Sequence, residues 1–587
     1  MVLFFEKILN LFIFSVFTYF VSQSTAEGKF TFAIKKNNFL IYNFLCIIEV
    51  YYFFQIIINR NFPSKIITSL LFFVISLTMY YVHEFRGTNI NFSDILSLNT
   101  AKEVAGGYTY KVKPIFVVFA IYYIISIIAH FLNNKINLIY GKTFHFEFEK
   151  EFNIPFTGRL TSILLFLIIF FILKSKINAE KYDYSLNAGE KVGYIYNFFS
   201  SIPIFHKKYA TTEMLNITSK KYVERVASKN KLFYNNNFTN YSQKIDYNIN
   251  RPHVIVIMNE SFGSVHENIK TNAPVTPYFD SLANVMKGNL YVNTFGGGTA
   301  NTEFEFLTGM SIGNYEYPVM PYNNFVKRDK YSLARYFRNI GYRTKAFHPY
   351  TATNYHRDFV YKKFGFDDLI FFDDTKHREY VRNFISDEAF YKEVIDIYEN
   401  SIKNNEKLFL FGITMQNHSG YSNLNDVKIK AQGISENEAT ELNSYLTLMN
   451  ISDNALHVLF DYFRKVNEEV IILFFGDHNA SFGTKINKIV YENSDIYECT
   501  NTYRTPFFIY SNKKKLDKYV DRISANFLSL LLLDEANLPY DELHNLLKKV
   551  YSEFSVYNFH KAYSGLDNKL HNIPYDTYMM LERKYLM

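Results

Sequence analysis

The stretches HVIVIMNE (residues 253–260) and VIILFFGDH (residues 470–478) decide the fold of the second half of this chain. Each begins with a short, continuous apolar run, a pattern that is typical of strands buried on both faces of a parallel sheet. Further strand-like runs at residues 342–347, 408–413 and 505–510 alternate with helical patterns. This alternation predicts an α/β domain with a mostly parallel sheet between helices.

Two of these runs end in residues that bind metal ions well. Glu260 follows the first run, and Asp477 and His478 follow the second. In open α/β sheets, ligands bind beyond the carboxyl ends of the strands, so these side chains fall where a site is expected. Carboxylate oxygens and one imidazole suit Zn²⁺ or Mn²⁺. A capped, solvated loop would explain either strand end alone, but the combination favours a metal site.

A glycine-rich loop leads into a helical pattern at residues 295–309, FGGGTANTEFEFLTG. Such a loop lets backbone N–H groups approach an anion, and the first turn of a helix adds unpaired N–H groups and a positive dipole end. The hydroxyl of Thr299 is therefore well sited to meet a phosphoryl group. An ordinary helix N-cap would use the same residue types. A threonine hydroxyl becomes a useful nucleophile when a metal ion or a base lowers its pKa.

Together, Glu260, the Gly-Gly-Gly-Thr299 loop with its Glu303-Phe304 continuation, and the Gly476-Asp477-His478 triplet resemble the extracellular domain of lipoteichoic acid synthases. These enzymes belong to the sulfatase-like branch of the alkaline phosphatase superfamily. The resemblance runs from about residue 250 to about residue 535. It implies an alkaline phosphatase-like α/β domain outside the cytoplasm, carried by a helical membrane domain.

The resemblance also implies roles for individual residues. It implies one divalent metal ion, Mn²⁺ ahead of Zn²⁺, bound at positions that are filled here by Glu260, Thr299, Asp477 and His478. Thr299 would be the catalytic nucleophile. Substrate-binding positions for a phosphoglycerol group would be filled by His348, Arg357, His418 and Tyr355.

Two positions depart from the synthases. Tyr355 stands where they carry Trp, in a chain that contains no Trp at all. Tyr350 stands where they carry a polar Asp or Asn. The second departure leaves the head group of the substrate open.

Apolar stretches fill the first third of the chain. Each is close to the roughly 20 residues that cross a bilayer core, and they lie at residues 8–22, 39–58, 66–82, 115–132 and 160–173. We therefore expect three parts: a five-helix transmembrane domain (1–174), an amphipathic segment and linker (175–250), and a sulfatase-like catalytic domain (251–587). Glu49 lies inside the second stretch and should face the helix bundle or a polar cavity. The expected location is the plasma membrane, with several spans and an extracytoplasmic catalytic domain.

Composition limits the class of protein further. The net charge of +7 is spread over 587 residues and forms no basic stripe, so we expect no nucleic-acid partner. The two cysteines, Cys46 and Cys499, predict no disulfide framework. Neither has the context of a formylglycine precursor, which argues against a true sulfatase.

The predicted function is transfer of glycerol phosphate from phosphatidylglycerol to an envelope acceptor, a glycolipid, polymer or glycan, through a phosphothreonine intermediate. A phosphoethanolamine transferase is the alternative within the enzyme class, although the members that this chain resembles are stapled by several disulfides. A metal-binding pseudoenzyme or a transporter is the alternative from another class. Whether transfer would occur once or build a polymer stays open, as do the oligomeric state and the roles of Glu49 and the C-terminal 50 residues.

Overall fold

The computed structural model describes residues 2–32, 37–86, 89–97, 110, 112–139, 154–179, 188–202, 251–314, 320–421, 424–491, 500–553 and 555–556. The chain divides into two compact units, one made of Met1–Ile95 and Tyr110–Lys208, the other of Leu96–Thr109 and Tyr209–Met587. Most of the predicted linker, Cys499 and residues 557–587 lie outside the described residues. The predicted division into three parts therefore stays a prediction.

The first unit is helical and apolar. Its helices are α1 (Val2–Glu27), α2 (Leu40–Ile58), α3 (Asn61–Arg86), α4 (Pro114–Ile139), α5 (Phe156–Ala179) and the short α6 (Ala188–Val192) and α7 (Tyr194–Ser200). All five predicted apolar stretches lie in α1 to α5. Within the described residues, α1, α2, α3 and α5 have the length and composition to cross a membrane, while the apolar part of α4, Pro114–Ala129, is shorter.

Polar side chains of this unit lie inside it. The side-chain amide of Asn43 in α2 donates to the carbonyl oxygens of Phe39 and Val192, at 2.9 and 2.7 Å, and accepts from the backbone N–H of Tyr196 at 2.9 Å. Glu49 is 7% exposed, in agreement with the expectation that it faces the bundle. Large apolar side chains such as Phe171, 61% exposed, cover the outside, as expected of a surface that contacts lipid.

The second unit is an α/β domain. Its strands are β1 (His253–Asn259), β2 (Val285–Tyr291), β3 (Arg343–Phe347), β4 (Asp368–Ile370), β5 (Tyr380–Val381), β6 (Phe384–Ile385), β7 (Leu408–Ile413), β8 (Val470–Gly476), β9 (Arg504–Ser511) and β10 (Lys518–Ser524). Its helices are α8 (Pro277–Ser281), α9 (Thr299–Thr308), α10 (Pro321–Asn324), α11 (Leu333–Asn339), α12 (Arg357–Phe364), α13 (Asp387–Lys403), α14 (Thr440–Phe463), α15 (Gly483–Val490), α16 (Leu528–Glu535) and α17 (Glu542–Glu553).

Eight strands form one sheet in the order β10-β2-β9-β8-β1-β7-β3-β4. All neighbouring pairs are parallel except the two made by β9, which runs antiparallel to both β2 and β8. The two central strands β1 and β8 are buried along their whole length, because helices cover both faces. The prediction of a mostly parallel α/β sheet beside apolar helices is therefore confirmed.

Alternate residues of the central strands pack on opposite sides of the sheet. In β8, the ring of Phe475 lies 5.2 Å from the ring of Phe306 in α9. The ring of its neighbour Phe474 lies 5.0 Å from Phe262 on the other face, as the two-residue period of a strand requires. This packing holds the first turn of α9 over the carboxyl edge of the sheet.

Candidate active site

Strand register brings the predicted metal ligands together. Asn259 at the end of β1 pairs with Gly476 at the end of β8, so Glu260 and Asp477 follow at the same edge of the sheet. The backbone is tight here: a Cβ atom on Gly476 would lie 1.9 Å from the carbonyl oxygen of Phe262. Only glycine fits at such an approach, which explains the residue that precedes the Asp-His pair.

The glycine-rich loop adopts backbone conformations that other residues rarely reach. Gly296, Gly297 and Gly298 all have positive φ, at 67°, 149° and 88°. The backbone N–H of Gly296 donates to the carbonyl oxygen of Asn479 at 2.9 Å, and the hydroxyl of Thr302 donates to the carbonyl oxygen of Asp477 at 2.8 Å. The loop is thus fixed against the end of β8, and α9 begins at Thr299.

The nucleophile candidate and the three ligand candidates lie within one small, buried cluster. The hydroxyl of Thr299 donates to Oε2 of Glu260 at 3.1 Å. Nε2 of His478 lies 3.2 Å from Oδ2 of Asp477 and 3.6 Å from Oε1 of Glu260. One ligand atom each from Glu260, Asp477 and His478 can be chosen so that all lie within 4.8 Å of one another. The structure therefore brings together all four residues predicted from separate parts of the chain.

The free atoms of this cluster fit a divalent cation. Asp477 Oδ2 and His478 Nε2 are buried and have no hydrogen-bond partner. The other polar atoms are held: Asp477 Oδ1 accepts from the backbone N–H of Ser261 at 2.7 Å, and Nδ1 of His478 lies 3.2 Å from the carbonyl oxygen of Asn479. A carbonyl oxygen only accepts, so Nδ1 carries the proton and Nε2 presents its lone pair.

The charges of the cluster also favour a bound cation. Burial, together with the neighbouring Glu260 carboxylate, raises the pKa of Asp477 above its usual range. Two carboxylates and an imidazole lone pair at these distances repel one another in a buried site, and a cation between them removes that cost. Glu260, Asp477 and His478, with the Thr299 hydroxyl beside them, are the residues that could hold the metal.

Two further predicted site residues are histidines that follow the neighbouring strands β3 and β7 of the same sheet. His348 follows β3, is buried, and has Nδ1 at 3.1 Å from the carbonyl oxygen of Ile413. Burial, reinforced by the Arg357 cation, holds its pKa well below the usual range. His418 follows β7, and burial lowers its pKa despite the opposing effect of the Glu260 carboxylate. Both imidazoles are neutral at physiological pH and can therefore accept or relay a proton.

Arg357, a predicted substrate-binding residue, is buried and already paired with a carboxylate. It is 1% exposed and forms an ion pair with Glu303: Nε donates to Oε1 at 3.1 Å, and Nη2 donates to the same oxygen. The hydroxyls of Tyr361 and Tyr322 donate to Oε2 of Glu303 at 2.6 and 3.0 Å. The ring of Tyr355 lies 5.1 Å from the guanidinium carbon. Nη1 of Arg357 also lies 3.4 Å from the side-chain oxygen of Asn354, and a guanidinium has more N–H groups than these acceptors use.

Glu303 is the residue whose contact with Arg357 the sequence interpretation missed. A usable signal was its spacing, because Glu303 stands four residues after Thr299 and so shares the same face of α9. The segment before Arg357 is also unusual. Tyr355 and His356 have φ of 53° and 56°, a left-handed conformation that costs free energy in non-glycine residues and is often found at functional sites.

Comparison with known proteins agrees with this architecture. Residues 252–536 match the model of the Sulfatase family. A Rhizobium meliloti protein, described as a putative cyclic beta-1,2-glucan modification protein, is 31% identical over 316 residues, 52% of this chain and 49% of that protein. The capsular polysaccharide biosynthesis protein RkpI of the same organism is 27% identical over 232 residues, 39% of this chain and 41% of RkpI. The chain thus spans about half the length of these relatives, or less.

A solved structure shares the fold. The Streptococcus pyogenes phosphoglycerol transferase GacH, in complex with sn-glycerol-1-phosphate, aligns with a TM-score of 0.50 and 22% identity, covering 64% of this chain and 94% of that chain. The α/β unit therefore has the fold of this solved structure. Residues 252–536, which contain this cluster, are therefore similar to the Sulfatase family.

Proposed function

We propose that this protein is a membrane-anchored, metal-dependent phosphoglycerol transferase. It would take glycerol phosphate from phosphatidylglycerol and pass it to a glycan or glycolipid of the cell envelope, with its catalytic domain outside the cytoplasm. The observation that carries the proposal is the position of the Thr299 hydroxyl, 3.1 Å from Glu260 in a cluster whose buried ligand atoms lack partners. A bound Mn²⁺ or Zn²⁺ would lower the pKa of that hydroxyl and stabilise negative charge on the phosphoryl oxygens.

The reaction has two displacement steps. In the first, the Thr299 oxygen forms a bond to phosphorus, the bond from phosphorus to the diacylglycerol oxygen breaks, and diacylglycerol leaves with a proton. In the second, an acceptor hydroxyl attacks the phosphothreonine, and Thr299 is released with its hydroxyl restored. We assign the proton transfers to His418 or His348, because both are neutral imidazoles that follow neighbouring strands of this sheet and the charge of Glu260 acts on His418. Arg357 would bind phosphate oxygens with charge-assisted hydrogen bonds.

The proposed glycan acceptor and the proposed phospholipid donor are supported by different observations. The names of the two Rhizobium meliloti relatives concern a cyclic glucan and a capsular polysaccharide, which supports a glycan acceptor here. The phosphoglycerol donor rests on the resemblance of the motifs around Glu260, Thr299 and Asp477 to lipoteichoic acid synthases. A membrane phospholipid suits an enzyme anchored by apolar helices, since confinement at the bilayer raises the effective concentration of the substrate.

A phosphoethanolamine transferase is the second candidate, and Tyr350 is the observation that favours it. Its ring lies 6.2 Å from the ring of His348 and 6.2 Å from the ring of Phe384. An aromatic surface attracts an ammonium group, whereas the polar residue that the synthases carry at this position suits glycerol hydroxyls.

The test is lipid turnover by the full chain in liposomes that contain both phosphatidylglycerol and phosphatidylethanolamine. Mass spectrometry should show diacylglycerol derived from phosphatidylglycerol, and chelation should stop its release until Mn²⁺ or Zn²⁺ is restored. Thr299→Ala should abolish release. Thr308→Ala is the matched control, because Thr308 lies on the same helix and its hydroxyl donates to the carbonyl oxygen of Phe304. Consumption of phosphatidylethanolamine alone would select the second candidate, and activity that survives chelation would exclude both.

A further inference from the structure

One arginine holds the loop that carries His418. Nη1 of Arg382 donates to the carbonyl oxygen of Gly420 at 3.0 Å, and Nη2 donates to those of Gln416 and His418, both at 2.8 Å. These three carbonyls belong to the segment that leaves the carboxyl end of β7. A planar guanidinium with a fixed set of donors can hold three acceptors in one geometry, whereas the point charge of a lysine cannot.

The backbone of Arg382 is in a conformation that disfavours arginine. The residue lies in the two-residue turn between β5 and β6, and its φ is 56°. Glycine is the residue of lowest cost at such a turn position, and a non-glycine residue there is strained. The conformation of the turn therefore does not explain why residue 382 is an arginine, whereas the three hydrogen bonds to carbonyl oxygens do.

The same side chain connects to the metal-ligand cluster. The guanidinium carbon lies 5.4 Å from the ring of Phe384, which is itself 5.5 Å from the ring of His418. It also lies 5.8 Å from the ring of Tyr421, whose hydroxyl is 3.5 Å from Oγ of Ser261. That Ser261 hydroxyl donates to Oε1 of Glu260 at 3.0 Å.

We propose that Arg382 is a positioning residue: it fixes the 414–421 segment so that the His418 imidazole is held beside the Thr299 cluster. Arg382 does not touch the substrate in this account and acts only through the loop. The effect on turnover rests on the proposed function, because it needs His418 to take part in the reaction. The effect on the loop itself is independent of the reaction.

The first measurement is hydrogen exchange of the full chain in detergent. Arg382→Gly removes the three donors and also relieves the backbone strain of the turn, so a purely structural role in the turn predicts equal or greater protection. We expect faster exchange in the 414–421 peptide. The matched control is Arg378→Ala, because Arg378 donates to three carbonyls of another segment, those of Phe372, Asp373 and Thr375 at 2.9 to 3.1 Å. Unchanged exchange in the 414–421 peptide of Arg382→Gly would overturn the proposal, whatever lipid the enzyme uses.

The second measurement is a double-mutant cycle on diacylglycerol release, run with whichever phospholipid the wild type consumes. Arg382→Gly should lower kcat/KM by about 10²-fold, the loss that misplacing a positioned group by about 1 Å brings. In a His418→Ala background the same substitution should have almost no further effect, because Arg382 acts through that residue. Ethylguanidinium should restore part of the activity of Arg382→Gly. Equal losses in both backgrounds would overturn the positioning role. A wild type that consumes neither lipid would contradict the proposed function and leave the exchange experiment to decide the role of Arg382.

Discussion

Replacing Glu303 by Gln should destabilise the catalytic unit far more than replacing an exposed carboxylate in an equivalent pair. Glu303 accepts from two nitrogens of Arg357 and from two tyrosine hydroxyls, and both members of the ion pair are almost fully buried, at 0% and 2% side-chain exposure. Glu303→Gln keeps the shape of the side chain but leaves the guanidinium charge without a counterion in a site closed to water. Breaking a buried pair from one side costs about 3 to 5 kcal/mol.

An exposed pair in the same domain provides the control. Arg343 donates from Nε and Nη2 to the two carboxylate oxygens of Asp368, so two nitrogens of one arginine contact one carboxylate here as well, but these side chains are 42% and 33% exposed. Water screens such a pair, and its loss costs about 1 kcal/mol or less. At roughly 2 to 4 °C per kcal/mol for a domain of about this size, Glu303→Gln should lower the melting temperature by roughly 10 °C and Asp368→Asn by only a few degrees.

Scanning calorimetry of the full chain in detergent measures both changes. A third variant sharpens the test: adding Arg357→Met to Glu303→Gln removes the uncompensated charge and should recover part of the lost stability, although not the activity. Equal shifts for Glu303→Gln and Asp368→Asn would refute the assignment of a closed, low-dielectric pair. A double variant that is less stable than Glu303→Gln alone would refute it as well.

Three further outcomes follow from the site and its surroundings. Thr299→Ser, which keeps the hydroxyl, should retain diacylglycerol release, and Thr299→Val, which keeps the volume, should lose it; an active Thr299→Val enzyme would exclude the phosphothreonine. Asp477→Asn should lower the metal content of the purified protein, measured by elemental mass spectrometry, while the exposed Asp373→Asn should not. Equal metal content in the wild type and both variants would show that Asp477 does not bind the metal. Burial raises the pKa of Glu305 to about 7, so the folded state keeps a proton that the unfolded chain loses above a pH of about 4.3. Stability should therefore be full below that pH and fall by roughly 4 kcal/mol between that pH and about 7, and Glu305→Gln should flatten this fall in melting curves at pH 5 and 8.

Local patterns were enough to predict five of the eight strands of the sheet, but not β2, β4 and β10. The runs at residues 253–258 and 470–475 are continuous and apolar because helices cover both faces of the sheet, and the structure has them as adjacent parallel strands. The carboxyl ends of parallel strands meet at one edge. Glu260, Asp477 and His478 could for that reason be expected to meet before any coordinates were known, and the structure brings them within reach of one cation.

The contacts around Arg357 could not be predicted in the same way. Its partner Glu303 is 54 residues away, and no local pattern reports whether a guanidinium will be exposed or buried. Arg382 is a stronger case. The residues around it form no pattern from which a function could be predicted. Its partners in the His418 loop are 34 to 38 residues away along the chain.

The amino-acid sequence by itself determined the apolar helices, the parallel sheet and the identity of the metal-ligand candidates, because each depends on residue type and on spacing along a single strand or helix. Only the tertiary structure decided which charges are paired and which side chains position others. Those contacts are made by segments that become neighbours after the sheet is assembled, and their strength depends on how completely the folded chain excludes water. For this protein, the sequence therefore indicates the chemistry of the site, and the fold decides how that chemistry is held in place.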